Sequence, residues 1–169
     1  MVRARFPWVR LIENQENVGF AAANNQAIRA SRGRYVVLLN SDTEVQPSAM
    51  GALVDFVEAH PQVGAAGARL LNADDSLQPS CHPMPTPGRE FWRLLFLEPV
   101  WPRATYPMDR WDLTKPRRVE AIKGACLLLR REALDQVGLL DEGYFMYSEE
   151  VDLCYRLSQE GWELWWVPG

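Results

Sequence analysis

The sequence is poor in cysteine and histidine, the residues that build disulfide scaffolds and zinc sites. Three cysteines and two histidines occur among the 169 residues, and none of them has the spacing of a zinc-binding or C-x-x-C redox motif. Isolated thiols of this kind favour a reducing, cytoplasmic setting. His82 lies beside Cys81 but has no further companions at metal-ligand spacing, so we expect it to take no part in metal binding.

Excess positive charge and long apolar runs are missing as well. The 18 Lys and Arg residues are scattered and are outnumbered by 22 Asp and Glu residues, so a nucleic acid is not the expected partner. No stretch approaches the roughly 18 apolar residues of a membrane-spanning helix, and residues 1–7 lack the apolar core of a signal peptide. Contact with a membrane would therefore be peripheral.

The sequence does contain enough apolar residues for a core, at 47%, and they fall into alternating strands and helices. Such alternation is typical of an α/β domain with a mostly parallel sheet flanked by helices. We predict a single domain over residues 1–169. Its first elements are a strand at 9–12, a helix from Phe20 to Ala30, a strand from Tyr35 to Leu39, a helix that opens at Pro47 and a strand at 63–68.

The stretch from Tyr35 to Asp42 runs from five apolar residues into Asn40, Ser41 and Asp42. A continuous apolar run predicts a central strand that is covered on both faces. Ligands of such sheets bind beyond the carboxyl ends of the strands, so Asp42 is a candidate ligand-binding residue. A turn that caps the next element would explain the same polar residues without a site.

Asn24 and Asn25 occupy the second turn of the predicted helix from Phe20 to Ala30. Asparagine is unfavourable inside a helix. The two side chains therefore need either a hydrogen-bonding partner or a ligand, unless both are simply exposed.

Residues 72–118 hold eight of the twelve prolines and are predicted to be mostly irregular. One helix is expected inside this segment, capped by Thr86 with Pro87 at its first position. Its stretch from Glu90 to Leu97 is too apolar for a solvated surface, so we expect it to pack on the core. A surface that faces a membrane or a partner protein is the alternative.

Three acids, Glu149, Glu150 and Asp152, lie at the start of a predicted helix that follows the aromatic-rich residues 144–147. The helix dipole alone favours acids in this position. Glu149 and Asp152 are three residues apart and should share a helix face, whereas Glu150 points elsewhere. Apolar surroundings can raise the pKa of a carboxylate into the range of a general base, so at least one of the three is a candidate catalytic residue.

Four blocks of the sequence stand out together: NVGFAAANN at 17–25, LLNSD at 38–42, KGAC at 123–126 and FMYSEEVDLC at 145–154. In this order they resemble the family 2 glycosyltransferases, in particular their bacterial rhamnosyltransferase-like branch. The resemblance extends from about residue 9 to residue 169, although the proline-rich segment matches only loosely. It implies a Rossmann-like fold of the nucleotide-diphospho-sugar transferase type and an inverting, metal-dependent transfer of a sugar.

The resemblance also implies how the donor is held. Asp42 falls on the last acid of the family's DxD-like motif, whose first position is Asn40 here, so one direct carboxylate ligand is expected for Mg²⁺ or Mn²⁺. Two further groups match positions near the donor. Asn17, Gly19 and Asn24 match the block near the nucleotide, and Gly124 and Ala125 match the loop beside the donor sugar.

Glu150 matches the position of the family's catalytic base, which takes the proton from the acceptor hydroxyl. Many relatives carry the shorter Asp there, so Glu149 and Asp152 stay open as alternatives. The expected donor is a nucleotide diphosphate sugar, with rhamnose as the candidate sugar. The expected acceptor is a glycan or a lipid-linked saccharide of cell-wall or polysaccharide biosynthesis.

Two departures from the family pattern lead us to expect a fold that is incomplete at both termini. Nothing before residue 9 supplies the first strand of the family, and neither histidine lies where the family carries its late metal-binding histidine. An unpaired strand would invite pairing with a second copy, that is, a homo-dimer. A non-catalytic remnant that acts as a binding or oligomerisation module is therefore an alternative to an enzyme, and an α/β nucleotidyltransferase is a third interpretation.

Overall fold

A five-stranded sheet with helices packed on both of its faces organises the chain. The structure is a computed structural model that describes residues 2–98, 100 and 103–168. The helices are α1 (Val2–Arg5), α2 (Phe20–Ala30), α3 (Ala49–Ala59), α4 (Pro87–Leu94), α5 (Arg131–Val137) and α6 (Glu149–Gln159), with a 3₁₀ turn at Met108–Arg110. The strands are β1 (Tyr35–Leu39), β2 (Val63–Ala68), β3 (Leu70–Leu71), β4 (Leu77–Gln78), β5 (Cys81–His82), β6 (Arg117–Val119), β7 (Ala121–Ile122), β8 (Cys126–Arg130) and β9 (Glu163–Val167).

The apolar core lies in two layers, one on each face of the sheet. Successive side chains of β8 point to opposite faces, so this strand contributes residues to both layers. Leu127 and Leu129 pack with buried residues of α2, α5 and α6. Cys126 and Leu128 pack with Leu53 and other residues of α3 on the opposite face. The α/β class with a sheet between helices, predicted from the sequence, is therefore confirmed.

The expected mostly parallel pairing is wrong in detail. The strand order is β1-β8-β2-β9-β6. Within this sheet only β2 and β9 pair in parallel. Strand β8 runs antiparallel to both of its neighbours, β1 and β2, and β6 runs antiparallel to β9. Strands covered on both faces read as apolar runs whichever way their neighbours point, so the sequence pattern did not reveal the direction of β8.

Strand β1 lies at the edge of this sheet, not at its centre. It pairs only with β8 within the described part of the chain. Leu38 is buried, whereas Val37 and Leu39 on the other face are 36% and 43% exposed. An apolar run shows what a strand could bury, and here, of the three side chains on the second face, only Tyr35 packs against the core layer of α3.

Local signals located several elements correctly. Helix α2 and strand β2 have the predicted bounds, and the hydroxyl of Thr86 accepts a hydrogen bond from the backbone N–H of Arg89 at the start of α4. Helix α3 begins at Ala49, two residues after Pro47, and buries Leu53 and Val57. No helix among the described residues is both long and apolar enough to cross a membrane.

Two predicted features do not form. Residues 9–12 make no strand and are exposed, since their alternation is imperfect and no described strand lies beside them. Helix α4 has no buried residue, so the expected packing of this helix on the core is wrong, and its Phe91 and Leu94 side chains are exposed. The remaining described part of the segment 72–118 is irregular apart from short strands and the 3₁₀ turn at Met108–Arg110, and Pro99 and Pro102 lie outside the described residues.

Asn25 ties α2 to the loop that leads into α6. Its side-chain amide donates to the carbonyl of Leu140 at 2.8 Å and to the Glu142 carboxylate at 2.9 Å, and its oxygen accepts from the N–H of Leu140 at 3.1 Å. Both residues of the Asn25–Leu140 pair are buried. Of the two helical asparagines, Asn25 is therefore the one whose partners lie outside its own helix.

Replacing Asn25 with alanine should therefore destabilise the fold. The buried N–H and C=O of Leu140 would lose their partner, which costs about 1–3 kcal/mol, and a urea titration should show a lower midpoint at an unchanged slope. Asn24→Ala is the matched control, because Asn24 donates only to the Phe20 carbonyl of its own helix. Equal losses for the two variants would contradict the role given to Asn25.

Candidate active site

Two cavities meet at the edge of the sheet where β1 ends and β8 begins. Asn40 and Ala125 line both of them. The N–H of Asn40 donates to the carbonyl of Ala125 at 3.0 Å, which extends the β1–β8 ladder by one residue. Because β8 is antiparallel to β1, its first residues lie beside the last residues of β1, and the sequence blocks 38–42 and 123–126 become neighbours.

The first cavity has a volume of about 560 Å³ and is rich in oxygen atoms. Asp42 lines it as an exposed carboxylate, and the turn that carries this residue is held by a bond from the Thr43 N–H to the Asn40 carbonyl at 3.2 Å. The other polar residues of its lining are Asn40, Thr43, Glu44, Gln46, Asn72, Asp75 and Gln78. Oxygen donors of this kind suit a hard divalent cation.

No three side chains of His, Cys, Asp or Glu among the described residues converge on a complete metal site. A cation held at Asp42 would therefore complete its coordination with amide oxygens, water or phosphate oxygens, as Mg²⁺ commonly does. The residues present fit that arrangement, since Asn40 and two further acids, Glu44 and Asp75, line the same cavity.

The second cavity, of about 540 Å³, contains two of the three acids at the start of α6. Glu149 and Glu150 line it together with Gly124, Phe20 and Tyr147. A Cβ placed on Gly124 would lie 4.0 Å from the Cβ of Glu150, so the glycine loop and this acid face each other directly. The structure thus brings Gly124, Ala125, Glu149 and Glu150 to one place.

Glu149 is a buried carboxyl group that is 4% exposed. Burial raises the pKa of Glu149, and the neighbouring Glu150 carboxylate raises it further. One carboxyl oxygen on each of these two residues is buried with no hydrogen-bond partner among the described residues. Buried polar atoms normally have partners, so this pair of oxygens is a place where a ligand hydroxyl could bind.

The chain enters α6 through two consecutive residues with left-handed backbone. Tyr147 and Ser148 have φ angles of 70° and 73°, a conformation that costs a non-glycine residue about 1–3 kcal/mol and often occurs at functional sites. Ser148 occupies the N-cap position of α6, yet its side chain makes no capping hydrogen bond. This entry sets the direction in which the first acids of the helix project.

Asp152 lies apart from the other two acids. Its carboxylate pairs with Arg156 at 2.8 Å, and the same guanidinium donates to the carbonyls of Val137 and Leu139 at 2.7 Å each. Asp152 lines a third cavity, of about 770 Å³, and not the one that holds Glu149 and Glu150. The helix-face argument that grouped Glu149 with Asp152 therefore does not describe this site.

The block at residues 17–25 contacts the loop that leads into α6. Asn17 accepts a hydrogen bond from the N–H of Gly19 at 3.0 Å, and Asn24 donates to the Phe20 carbonyl at 2.9 Å. Gly19 has φ 85°, and a Cβ there would lie 2.6 Å from the carbonyl oxygen of Phe145. Only glycine allows this approach, which holds the loop before α6 against α2. None of Asn17, Gly19 and Asn24 lines the three cavities, and their contact with a nucleotide stays a prediction.

Sequence reasoning missed two residues of the second cavity, His82 and Lys123. Pairing of β5 with β7 places His82 opposite Ala121, and its Nδ1 lies 3.0 Å from the Pro83 carbonyl oxygen. A lone histidine in a proline-rich segment carries no local signal, because only the strand pairing brings it to the cavity. Lys123 stands within a matched block and could have been included on that ground.

Comparison with known proteins gives a consistent result. The family model described as glycosyl transferase family 2 matches residues 2–138. The N-acetylglucosaminyl-diphospho-decaprenol L-rhamnosyltransferase of Mycobacterium tuberculosis is 36% identical over 97% of this chain, which spans 58% of the length of that relative. Helix α6 lies beyond the residues that the family model matches, so the roles of its acids depend on the block at 145–154 and on the geometry.

Two solved structures have the same fold. GalNAc-T7 with UDP, GalNAc and Mn²⁺ gives a TM-score of 0.64 at 18% identity, covering 93% of this chain and 30% of that one. The mannosyltransferase PcManGT from Pyrobaculum calidifontis, in complex with GDP-Man and Mn²⁺, gives 0.55 at 20% identity, covering 92% and 36%. The predicted fold class, that of the nucleotide-diphospho-sugar transferases, is confirmed.

The raised pKa of Glu149 predicts a pH-dependent stability. Folding favours the protonated carboxyl, so this stabilisation is complete below the unfolded-state pKa of about 4.3 and is lost as the pH rises through the folded-state pKa. At pH 7, Glu149→Gln should therefore unfold at a higher temperature than the wild type, by about 2–4 °C for each kcal/mol gained. At pH 4 the difference should vanish.

The control for this prediction is Glu132→Gln, which changes an exposed acid in the first turn of α5. It should give no gain at pH 7, because no burial opposes the charge of Glu132. Thermal unfolding followed by circular dichroism at both pH values is sufficient. The same gain for Glu149→Gln at pH 4 and pH 7, or a loss at pH 7, would show that burial does not oppose ionisation of Glu149.

Proposed function

The chain belongs to glycosyl transferase family 2, and from this premise we propose that it transfers a sugar, with inversion, from a nucleotide diphosphate sugar to an acceptor hydroxyl. One observation carries the proposal. An exposed acid, Asp42, and two neighbouring acids, the buried Glu149 and the half-buried Glu150, occupy two cavities that meet at Asn40 and Ala125. In a single displacement the acceptor hydroxyl attacks the anomeric carbon on the side opposite the leaving diphosphate. The site therefore needs a base on one side of the sugar and a phosphate site on the other.

Asp42, with Asn40 beside it, is the proposed holder of a divalent cation, Mg²⁺ or Mn²⁺. A bound cation of this type neutralises the negative charge that grows on the departing nucleoside diphosphate. The donor diphosphate would occupy the first cavity, and the donor sugar would lie against Gly124 and Ala125 where the two cavities join. Asn17, Gly19 and Asn24 would act on the nucleotide end, with Gly19 also fixing the loop before α6.

Glu150 is the proposed general base. It takes the proton from the acceptor hydroxyl as that oxygen attacks the anomeric carbon, while the bond from this carbon to the diphosphate oxygen breaks on the opposite side. Attack from the side opposite the leaving group inverts the anomeric centre. Glu149, whose pKa is raised by burial, lies beside it in the same cavity, and paired carboxyl groups in unlike surroundings commonly take different roles. Asp152, paired with Arg156, is the least suited of the three.

The chemical class of the substrates is proposed from a relative. The Mycobacterium tuberculosis protein is named as an L-rhamnosyltransferase acting on N-acetylglucosaminyl-diphospho-decaprenol. We infer a deoxyhexose such as rhamnose as the transferred sugar and a lipid-linked saccharide, or a glycan built from one, as the acceptor. Such a step belongs to cell-wall or polysaccharide biosynthesis, and a lipid-linked acceptor would bring the protein to a membrane surface.

The roles proposed for Asp42 and Glu150 can be tested separately, by measuring nucleotide binding for the first and sugar transfer for the second. In calorimetry with UDP, GDP and dTDP in turn, the wild type should bind one of them more tightly with Mn²⁺ than without it. Asp42→Asn should remove this metal dependence, because the one direct carboxylate ligand is lost. Glu150→Gln should keep the metal-dependent binding and lose sugar transfer by a factor of about 10²–10⁴, the usual contribution of a general base.

Asp55→Asn is the matched control, since Asp55 is an exposed acid of α3 that lines none of the three cavities. It should leave both binding and transfer unchanged. Metal-dependent binding that survives in Asp42→Asn would contradict the role of Asp42. A stable dimer in sedimentation without affinity for any of the three nucleotides would instead favour a non-catalytic module that pairs through the free edge of β1.

A further inference from the structure

His82 lies where the second and third cavities meet, and no step of the proposed reaction uses it. It lines both the cavity of Glu149 and Glu150 and the larger cavity between α4 and α6. Its neighbour in β5, Cys81, packs in the core. Since successive side chains of a strand point to opposite faces, the His82 ring is directed away from the core and toward the two cavities.

A hydrogen bond fixes which nitrogen of the His82 ring carries the proton. Nδ1 lies 3.0 Å from the carbonyl oxygen of Pro83, and a carbonyl oxygen can only accept. Nδ1 therefore carries the proton, and Nε2 of the neutral ring is left with a lone pair. No described residue hydrogen-bonds to Nε2, so this nitrogen is available to accept a hydrogen bond from a ligand.

The charges of the third cavity are paired within the protein. The charged residues that line it all form ion pairs, which are Arg89–Glu120, Arg93–Glu90 and Asp152–Arg156. A charged ligand would have to compete with these pairs for its own partner, whereas an uncharged ligand would leave them intact. The electrostatics of this cavity therefore favour an uncharged ligand.

The polar groups that stay unpaired in the third cavity are suited to hydroxyl groups. Besides His82 Nε2 they are the side-chain hydroxyls of Tyr144, Ser148 and Tyr155, which have no partner among the described residues. The tyrosines are 39% and 49% exposed, so part of each ring is open to a ligand. Aromatic surface with a few placed polar groups is a typical small-molecule lining, and a saccharide offers both hydroxyl groups and apolar C–H faces to it.

We propose that His82 is a specificity-determining residue for the acceptor, and that its Nε2 accepts a hydrogen bond from one hydroxyl of an uncharged saccharide held in the third cavity. The inference rests on the proposed function, in which Glu150 deprotonates another hydroxyl of the same saccharide. A ligand that extends from the base into the third cavity passes His82, because this residue lines both. The bond selects acceptors with two suitably placed hydroxyls, one for Glu150 and one for His82.

Two substitutions of His82 separate ligand binding from a structural role. His82→Asn keeps an amide donor near the position of Nδ1, for the Pro83 carbonyl, and removes the acceptor at Nε2. His82→Gln places its longer amide near the position of Nε2 and gives up the bond to Pro83. In an NMR titration with methyl N-acetylglucosaminide, an uncharged saccharide, His82→Asn should bind about fivefold to tenfold more weakly than the wild type, the value of one hydrogen bond. His82→Gln should recover most of this affinity, whereas a purely structural role predicts the reverse order.

His60→Asn is the matched control. Nδ1 of His60 likewise lies 2.7 Å from a carbonyl oxygen, that of Phe56, but His60 lines none of the three cavities. The variant should bind the saccharide as the wild type does. Because the chain has two histidines, it also leaves His82 as the single imidazole in ¹⁵N spectra of the ring, and saturation with the saccharide should move the Nε2 signal toward the value of a protonated nitrogen.

Three results would overturn the proposal. They are absence of saccharide binding to the wild type, an Nε2 signal that the saccharide leaves unchanged, and a loss of affinity in His82→Gln as large as that in His82→Asn. None of these measurements involves a nucleotide. Metal-dependent nucleotide binding by both His82 variants should equal that of the wild type, so failure of this proposal and failure of the proposed function are measured separately.

Discussion

Antiparallel pairing of β1 with β8 is the constraint on which the candidate site depends. Cys126 lies opposite Leu39, and the next pair, Ala125 and Asn40, is joined by a backbone hydrogen bond of 3.0 Å. This register joins two sequence blocks that are more than 80 residues apart. A shift of one residue would turn every side chain of β1 to the other face of the sheet and move Asp42 away from the glycine loop.

The second end of the site depends on how α6 is held. Asn25 and Gly19 fix the loop before this helix to α2, and Arg156 fixes its second turn to the end of α5. These contacts maintain two unfavourable features, the left-handed backbone at Tyr147 and Ser148 and the buried carboxyl of Glu149. Strained backbone and a buried acid persist only where the surrounding structure enforces them. Their occurrence together, facing Gly124, is the physical reason for assigning proton transfer to this place.

Much of the fold could be predicted because its signals are local. The alanine-rich α2, the small-residue strand β2 and the Thr86 cap need only spacing and residue type. The direction of β8, the edge position of β1 and the exposure of α4 depend on which distant segments meet, and an apolar run reads the same in each case. For the site, the matched blocks predicted that Asp42, Gly124 and Glu150 belong together, and the structure places them around two joined cavities. His82 enters only through the pairing of β5 with β7, which no local pattern indicates.

The central claim is that the divalent cation and the base occupy opposite ends of the joined cavities. Paramagnetic broadening by Mn²⁺ tests it most directly, in amide spectra of the ¹⁵N-labelled protein with the nucleoside diphosphate that it binds. We predict that signals of residues 40–43 and 124–125 are lost first, that those at the start of α6 weaken less, and that those of β6 are unaffected. Broadening centred on Glu149 and Glu150, with residues 40–43 unaffected, would contradict the account.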